Sequence, residues 1–295
     1  MKPFTYQAPT SIKEAIALIE TQRGRARPLA GGTDLLVQMR HGLLAPETIV
    51  DLKRIPELAE LAYHPGTGLT IGATVSCAQL CEHPSVQALY PALLDAASMI
   101  GGPAIRERAT IGGNLCNAAP SGDTIPVLVV LSATCAIAGP GGTRTVPAED
   151  FCIAPRQTVL APGELLVSLH LPVPQPNSGA RYLRFIPRGE MDIAVAGAGA
   201  WLQLDDDHTS IIQARIALAA VAPTPLLAVD ASNSLVGRPP TEDSFAQAAA
   251  LAQEAARPIT DVRGTAAQRR HLVGVLVKRA LRGATQRAKG ATYDG

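Results

Sequence analysis

Residues 100–123 read IGGPAIRERATIGGNLCNAAPSGD, and within them Thr110-Ile111-Gly112-Gly113-Asn114 is the run on which the reading of the fold turns. Glycine lets backbone amides come close to an anion and take positive φ. A helix that begins just beyond adds unpaired N–H groups carrying partial positive charge. Nearer the N-terminus, Ala30-Gly31-Gly32-Thr33-Asp34 has the same form, between a short extended run and an amphipathic stretch begun by Leu35, Leu36 and Met39. One Gly-Gly pair alone is ordinarily a tight turn. Two in one presumed domain, each followed by groups able to hydrogen-bond phosphate or ribose (Thr33, Asn114, Ser121, Asp123), suit a dinucleotide. Neither pair belongs to a G-x-G-x-x-G fingerprint or a G-K-[ST] phosphate loop, which disfavours the Rossmann and Walker classes.

Outward from these turns, strands and helices mix. Ser11-Ile12-Lys13-Glu14 reads as a capping box, with Ile12, Ala15, Ile16 and Ile19 at helical spacing behind it. Residues 48–52 read as a strand, and 61–71 as a hairpin around His64-Pro65-Gly66-Thr67-Gly68. A helical stretch over 76–100 is interrupted at Pro84 and Pro91. A second hairpin spans 134–146 around Gly139-Pro140-Gly141-Gly142, and 164–171 reads as a strand ended by Pro172. Residues 172–179, PVPQPNSG, form the best linker in the chain. Beyond it, paired strands over 194–204 and 211–220 precede helices over 245–256 and 266–288. The class is α+β. The division expected is 1–176, itself two-lobed at about residue 55, followed by 177–295. Arg269, Arg270, Lys278, Arg279 and Arg282 of the last helix read as a solvated face.

Bulk properties narrow the function. Hydrophobic residues make up 47% and charged ones 17%, as in ordinary globular proteins. A formal charge of +1 and only ten aromatics give neither a phosphate-tracking stripe nor a base-stacking platform, so nucleic acid is not an expected partner. The longest apolar stretch, 125–139, is broken by Ser132 and Thr134 and falls short of the ~20 residues that span a bilayer. Five scattered cysteines without C-x-x-C pairs read as buried free thiols rather than metal ligands, and suggest a cytoplasmic setting. No Ser/His/Asp set, H-E-x-x-H or carboxylate pair stands out among the motifs. A chain with dinucleotide cradles and no evident acid–base machinery fits a redox cofactor that carries the chemistry itself.

The segments AGGTDLL (30–36), IGATVS (71–76), residues 100–123 and GELLVSLHLP (163–172) resemble the FAD-binding medium subunits of molybdenum hydroxylases, the xanthine dehydrogenase and carbon monoxide dehydrogenase medium-chain family. MDIAVAGAGAWL (191–202) and ALAAVAPTP (217–225) resemble that family's C-terminal domain. The resemblance implies a two-lobed FAD-binding domain of the vanillyl-alcohol-oxidase/MurB-like (PCMH) type, then an α+β flavoprotein domain. It places Pro28, Leu29, Ala30, Gly31, Gly32, Thr33, Asp34 and Leu35 at the pyrophosphate with Arg27 beside them, and Thr110, Ile111, Gly112, Gly113 and Asn114 along the flavin and its ribityl arm. Asp123 falls at the adenosine end, and Leu166 on a strand bordering the adenine. Arg184 stands where relatives carry a Lys near the flavin, and Ile100 where some place an aromatic over the ring.

The implied function is an electron relay. A large subunit with molybdopterin hydroxylates substrate, a small subunit with two [2Fe–2S] clusters passes electrons to this FAD, and the flavin gives them to an external acceptor. The assembly implied is a dimer of heterotrimers, with no metal in this chain. Thr33-Asp34 stands where carbon monoxide dehydrogenase medium subunits tend to carry His-Ser, favouring a xanthine- or heterocycle-type complex. The alternative is a self-sufficient FAD-dependent oxidoreductase with its own substrate site.

Overall fold

The computed structural model describes residues 1–22, 24–189 and 191–290, so the last five residues of the expected C-terminal domain lie outside the described residues. The first lobe is a three-stranded parallel sheet in the order β1-β3-β2, from β1 (Thr5–Gln7), β2 (Ala26–Leu29) and β3 (Thr48–Asp51). Helix α1 (Ile12–Thr21) crosses between β1 and β2. The Ser11 hydroxyl accepts from the Glu14 amide, while the Glu14 carboxylate takes the Thr10 N–H rather than that of Ser11. The reciprocal half of the box is thus shifted by one residue. α2 (Leu35–Arg40) follows the first glycine turn.

The second lobe is a five-stranded antiparallel sheet in the order β4-β5-β10-β6-β7. Its strands are β4 (Leu61–His64), β5 (Gly68–Gly72), β6 (Thr134–Gly139), β7 (Gly142–Pro147) and β10 (Leu165–Leu171). Between β5 and β6 run α3 (Cys77–Glu82), α4 (Pro84–Leu89), α5 (Pro91–Ala97), α6 (Pro103–Arg106), α7 (Ile111–Asn117) and α8 (Thr124–Val130). Pro84, Pro91 and Pro103 each open a helix at its first position, where the missing N–H breaks no intrahelical bond. α9 (Ala148–Phe151) and the small hairpin β8 (Cys152–Ala154) and β9 (Gln157–Thr158) precede β10.

Beyond residue 177 an antiparallel sheet runs β11 (Ser178–Phe185), β12 (Ala196–Leu204), β13 (Ile211–Ala219), β14 (Leu226–Leu227). Helices α10 (Val229–Asn233), α11 (Glu242–Ala255) and α12 (Ala266–Ala288) complete this unit. The β12 run AGAGAWLQL shows why. With a side-chain period of two, Ala196, Ala198 and Ala200 share one core with residues of α11 and α12. Gly197 and Gly199 face the other way, where an added Cβ would meet the Tyr182 hydroxyl at 2.5 Å and the Pro126 carbonyl of α8 at 3.3 Å. Small residues on both faces let helix and first domain approach the same strand.

One expectation is overturned on α12. Arg269 is buried, because its guanidinium donates to the carbonyls of Val195 and Ala220 and to Asp261. Arg282 is paired with Glu242. All five cysteines are free, Cys77 and Cys135 are buried and Cys81 and Cys152 half-buried, but Cys116 is exposed, in the wall of the cavity described below. No helix among the described residues is long and apolar enough to cross a membrane.

Candidate cofactor site

The two glycine turns meet at one cavity of about 880 Å³ that opens between the lobes. That is near the top of the ~300–1,000 Å³ range of small-molecule and cofactor sites. Both turns are built by close backbone approach. Gly31 lies against the Arg108 carbonyl so tightly that a Cβ would overlap it, and Gly32 holds φ +79°, in the left-handed region. At the second turn a Cβ on Gly112 would lie 2.6 Å from the Ala73 carbonyl oxygen, whereas on Gly113 it would meet only the Thr110 hydroxyl, at 2.8 Å. That hydroxyl is the N-cap of α7, accepting from the Gly113 amide at 2.8 Å. In each pair the first glycine is therefore fixed by packing. Gly113 alone of the four lacks both a backbone neighbour in the way and a left-handed φ, and it lines the cavity.

Behind each turn stands a carboxylate with a tyrosine and a cation. At the first, Asp51 accepts from the Tyr6 hydroxyl and from Lys53 Nζ at 2.6 Å, and Lys53 also donates to the Ala30 carbonyl at 3.2 Å. Burial pushes the Asp51 carboxyl up, but the hydrogen bonds from Lys53 and Tyr6 win and hold it below its usual range. At the second, Asp123 accepts from the Tyr182 hydroxyl at 2.7 Å and from Arg184 at 2.5 Å, and Arg184 also donates to the Met99 carbonyl at 2.9 Å. Here burial dominates and raises the Asp123 carboxyl, with the charge of Arg184 pulling against it. Burial likewise drives the Tyr182 phenol well up.

Of the residues expected at the site, the cavity wall contains Arg27 through Leu35, Ile100, Thr110, Gly112, Gly113, Asn114 and Leu166. Ile111, Asp123 and Arg184 are not in that wall. Ile111 points into the core, with 1% of its surface exposed. Asp123 and Arg184 stand behind the wall, hydrogen-bonded to each other and to Tyr182 and the Met99 carbonyl. Both adjoin wall residues: Met99 precedes Ile100, and Thr124, next to Asp123, donates to the Asn114 side-chain oxygen at 2.7 Å. Missed from the sequence were Gln38, Cys116, Asn117 and Arg156, which also line the cavity. The Gln38 amide donates to Asn117 across it at 3.1 Å, a pairing no local pattern announces. Among the described residues no cluster of three or more His, Cys, Asp or Glu is placed to hold a metal.

Bare glycine surface, backbone amides and an apolar floor from Leu29, Leu52 and Leu166 in a groove between two lobes define a dinucleotide-type flavoprotein site. Residues 2–174 match the family described as the FAD binding domain in molybdopterin dehydrogenase, and residues 181–284 match the CO dehydrogenase flavoprotein C-terminal domain. The carbon monoxide dehydrogenase medium chain of Hydrogenophaga pseudoflava is 35% identical over 284 residues, covering 96% of this chain and 98% of that one. The xanthine dehydrogenase FAD-binding subunit of Escherichia coli O157:H7 is 32% identical, with 97% of each chain covered. Among solved structures, a carbon monoxide dehydrogenase from Hydrogenophaga pseudoflava superposes with TM-score 0.93 at 35% identity, covering 97% of this chain and 99% of that chain. Quinoline 2-oxidoreductase from Pseudomonas putida 86 superposes with TM-score 0.90 at 32% identity, covering 99% and 100%. The chain belongs to the FAD-binding subunit family of the molybdenum hydroxylases, its fold is the PCMH-type FAD domain with a C-terminal flavoprotein domain, and its cofactor is FAD.

Proposed function

We propose that this chain is the electron-relay subunit of a heterotrimeric molybdenum hydroxylase, receiving electrons from a small [2Fe–2S] subunit and delivering them to an external acceptor, while a large molybdopterin subunit holds the substrate. The observation that carries this is the cavity wall, which presents glycine turns and apolar side chains but, among the described residues, no His, Tyr or Lys. Of its carboxylates, Glu164 is taken up by Arg144 in a two-pronged ion pair. FAD supplies the redox chemistry when bound. The chain's own residues hold and orient it: the amides and bare surface of Gly31, Gly32 and Thr33 toward the pyrophosphate, Gly113 and Asn114 toward the flavin and ribityl arm, Leu166 toward the adenine. Lys53 fixes the first turn from behind through the Ala30 carbonyl. Arg184 fixes Ile100 and its glycine neighbours through Met99.

The division at 176/177 rests on the irregular stretch between β10 and β11, within which the first family match ends at residue 174, and the lobe division near residue 55 on the change from parallel to antiparallel pairing after β3. The xanthine- or heterocycle-type reading rests on Thr33-Asp34, and the cytoplasmic one on the five free thiols. Purification of the tagged chain from its native host, read for flavin, molybdenum and iron, tests the assignment. The expected result is FAD with both metals and two further subunits. Flavin alone, with substrate turnover by the isolated chain, would replace this reading with that of a self-sufficient oxidoreductase.

A further inference from the structure

We infer that Arg156 is a cofactor-binding residue whose guanidinium pairs with the pyrophosphate held at the first glycine turn. The inference rests on the assignment of that turn to the pyrophosphate. Arg156 and Pro155 are the two turn residues of the β8–β9 hairpin, where Ala154 pairs with Gln157. Its φ is +61°, in the left-handed region where glycine or asparagine sits with least strain. A long charged residue held there is the kind of backbone outlier from which function is sought.

The hairpin is pinned to α7: the Arg156 amide donates to the Ala118 carbonyl at 3.0 Å, just past the end of the helix that carries the second glycine pair. From that anchor Arg156 lines the same cavity as residues 31–34. Asp34 lines the cavity with its side chain exposed to solvent at the surface of the first lobe. Partial desolvation raises its carboxyl, and the charge of Arg156, on the same cavity wall, opposes the rise. The other arginine of the wall, Arg27, donates to the carbonyls of Gly24 and Ala26. Among the described residues the Arg156 guanidinium has no hydrogen-bond or ion-pair partner. Glu20 and Asp34 meanwhile make the wall unfavourable for a doubly charged pyrophosphate, Glu164 being neutralised by Arg144. A forked donor in that position offsets the repulsion and matches phosphate geometry in a way an ammonium does not.

The test is equilibrium binding of FAD and of riboflavin, which lacks the pyrophosphate, to the purified full chain and to Arg156→Met and Arg156→Gly. Both variants are expected to lose about tenfold to hundredfold in FAD affinity, to keep riboflavin affinity, and to show a shallower dependence of FAD binding on salt. The glycine variant relieves the left-handed backbone, so an equal loss in both ties the effect to the guanidinium. Unchanged FAD affinity, or equal losses for FAD and riboflavin, would overturn the inference. Loss of electron relay with FAD binding unchanged in the variants would count against it as well, while leaving the chain a flavoprotein. A wild-type chain that binds FAD but purifies without partners would break only the relay reading.

Discussion

The two glycine turns are supported by the same three-part device in opposite surroundings. Tyr6, Asp51 and Lys53 stand at the rim of the first lobe, where Tyr6 is 54% exposed, while Tyr182, Asp123 and Arg184 are closed inside the junction with the C-terminal domain. The chemistry is shared: a phenol and a cation donate to one carboxylate, and the cation also holds a main-chain carbonyl beside the cavity. The surroundings of the partners decide the sign. Both carboxylates are themselves buried, but their partners differ: beneath the exposed Tyr6 and half-exposed Lys53 the hydrogen bonds together outweigh desolvation and the Asp51 carboxyl is lowered, whereas among the buried Tyr182 and Arg184 desolvation prevails and that of Asp123 is raised. Removing the cation is therefore expected to cost less at the first device than at the second.

The sharpest break of this contrast is Arg184→Met. It leaves a carboxylate buried with only Tyr182, and a loss of about 3–5 kcal/mol is expected in chemical denaturation. A loss below 1 kcal/mol would show that the junction is wetter than described. Gly31→Ala comes next, because its Cβ would overlap the Arg108 carbonyl; about 3 kcal/mol is expected from the forced backbone shift, read as a fall in melting temperature. Gly113→Val tests the other side of the glycine comparison. It should abolish flavin retention at a folding cost of about 1 kcal/mol from the disturbed Thr110 cap, so circular dichroism stays native while the yellow colour is lost. Lys53→Met should change stability by less than about 1 kcal/mol yet weaken FAD binding through the released Ala30 carbonyl.

The smallest effect is in pH. Asp51 has a lowered folded value, so its contribution is fully present above its unfolded value of about 3.9 and lost as pH falls through the lower folded one. Asp123 is raised, so its contribution is present at low pH and lost as pH rises through its folded value. Acid titration of Asp51→Asn should therefore begin to approach the wild type only below about pH 4 and converge beneath the lowered folded value; a constant offset would remove the assignment.

Elements set by local pattern were legible. The 266–288 helix is the full extent of α12, because Thr265 caps it and no Gly-Pro break interrupts it. The hairpins around residues 66 and 140 follow their turn residues. β11 was hidden, since its first residues, Ser178 and Gly179, close a run rich in Pro, Asn and Ser that reads as linker. Gly179 is there because α12 crosses it: an added Cβ would strike the Ala284 carbonyl. The site was legible where it is made of consecutive residues, the two glycine turns. It was not where charges 61 residues apart cancel, as Asp123 and Arg184 do, or where a lone arginine such as Arg156 reaches the cavity from a hairpin. Nor does periodicity show that Arg269 reaches two loop carbonyls.

Asp95 of α5 accepts from Arg181 of β11 and from both terminal nitrogens of Arg287, 192 residues further on. This knot gives the polypeptide an order of assembly. While the chain is being synthesised, the flavin-binding half emerges with Asp95 waiting for a partner that does not yet exist. Its last clamp closes only when α12 has been made and has folded back across β11. Closing so large a loop is slow relative to local helix and hairpin formation. The cofactor pocket's wall lies wholly within residues 19–166, but the Tyr182 and Arg184 support behind its second turn and the Asp95 clamp are completed only once β11 and α12 are in place.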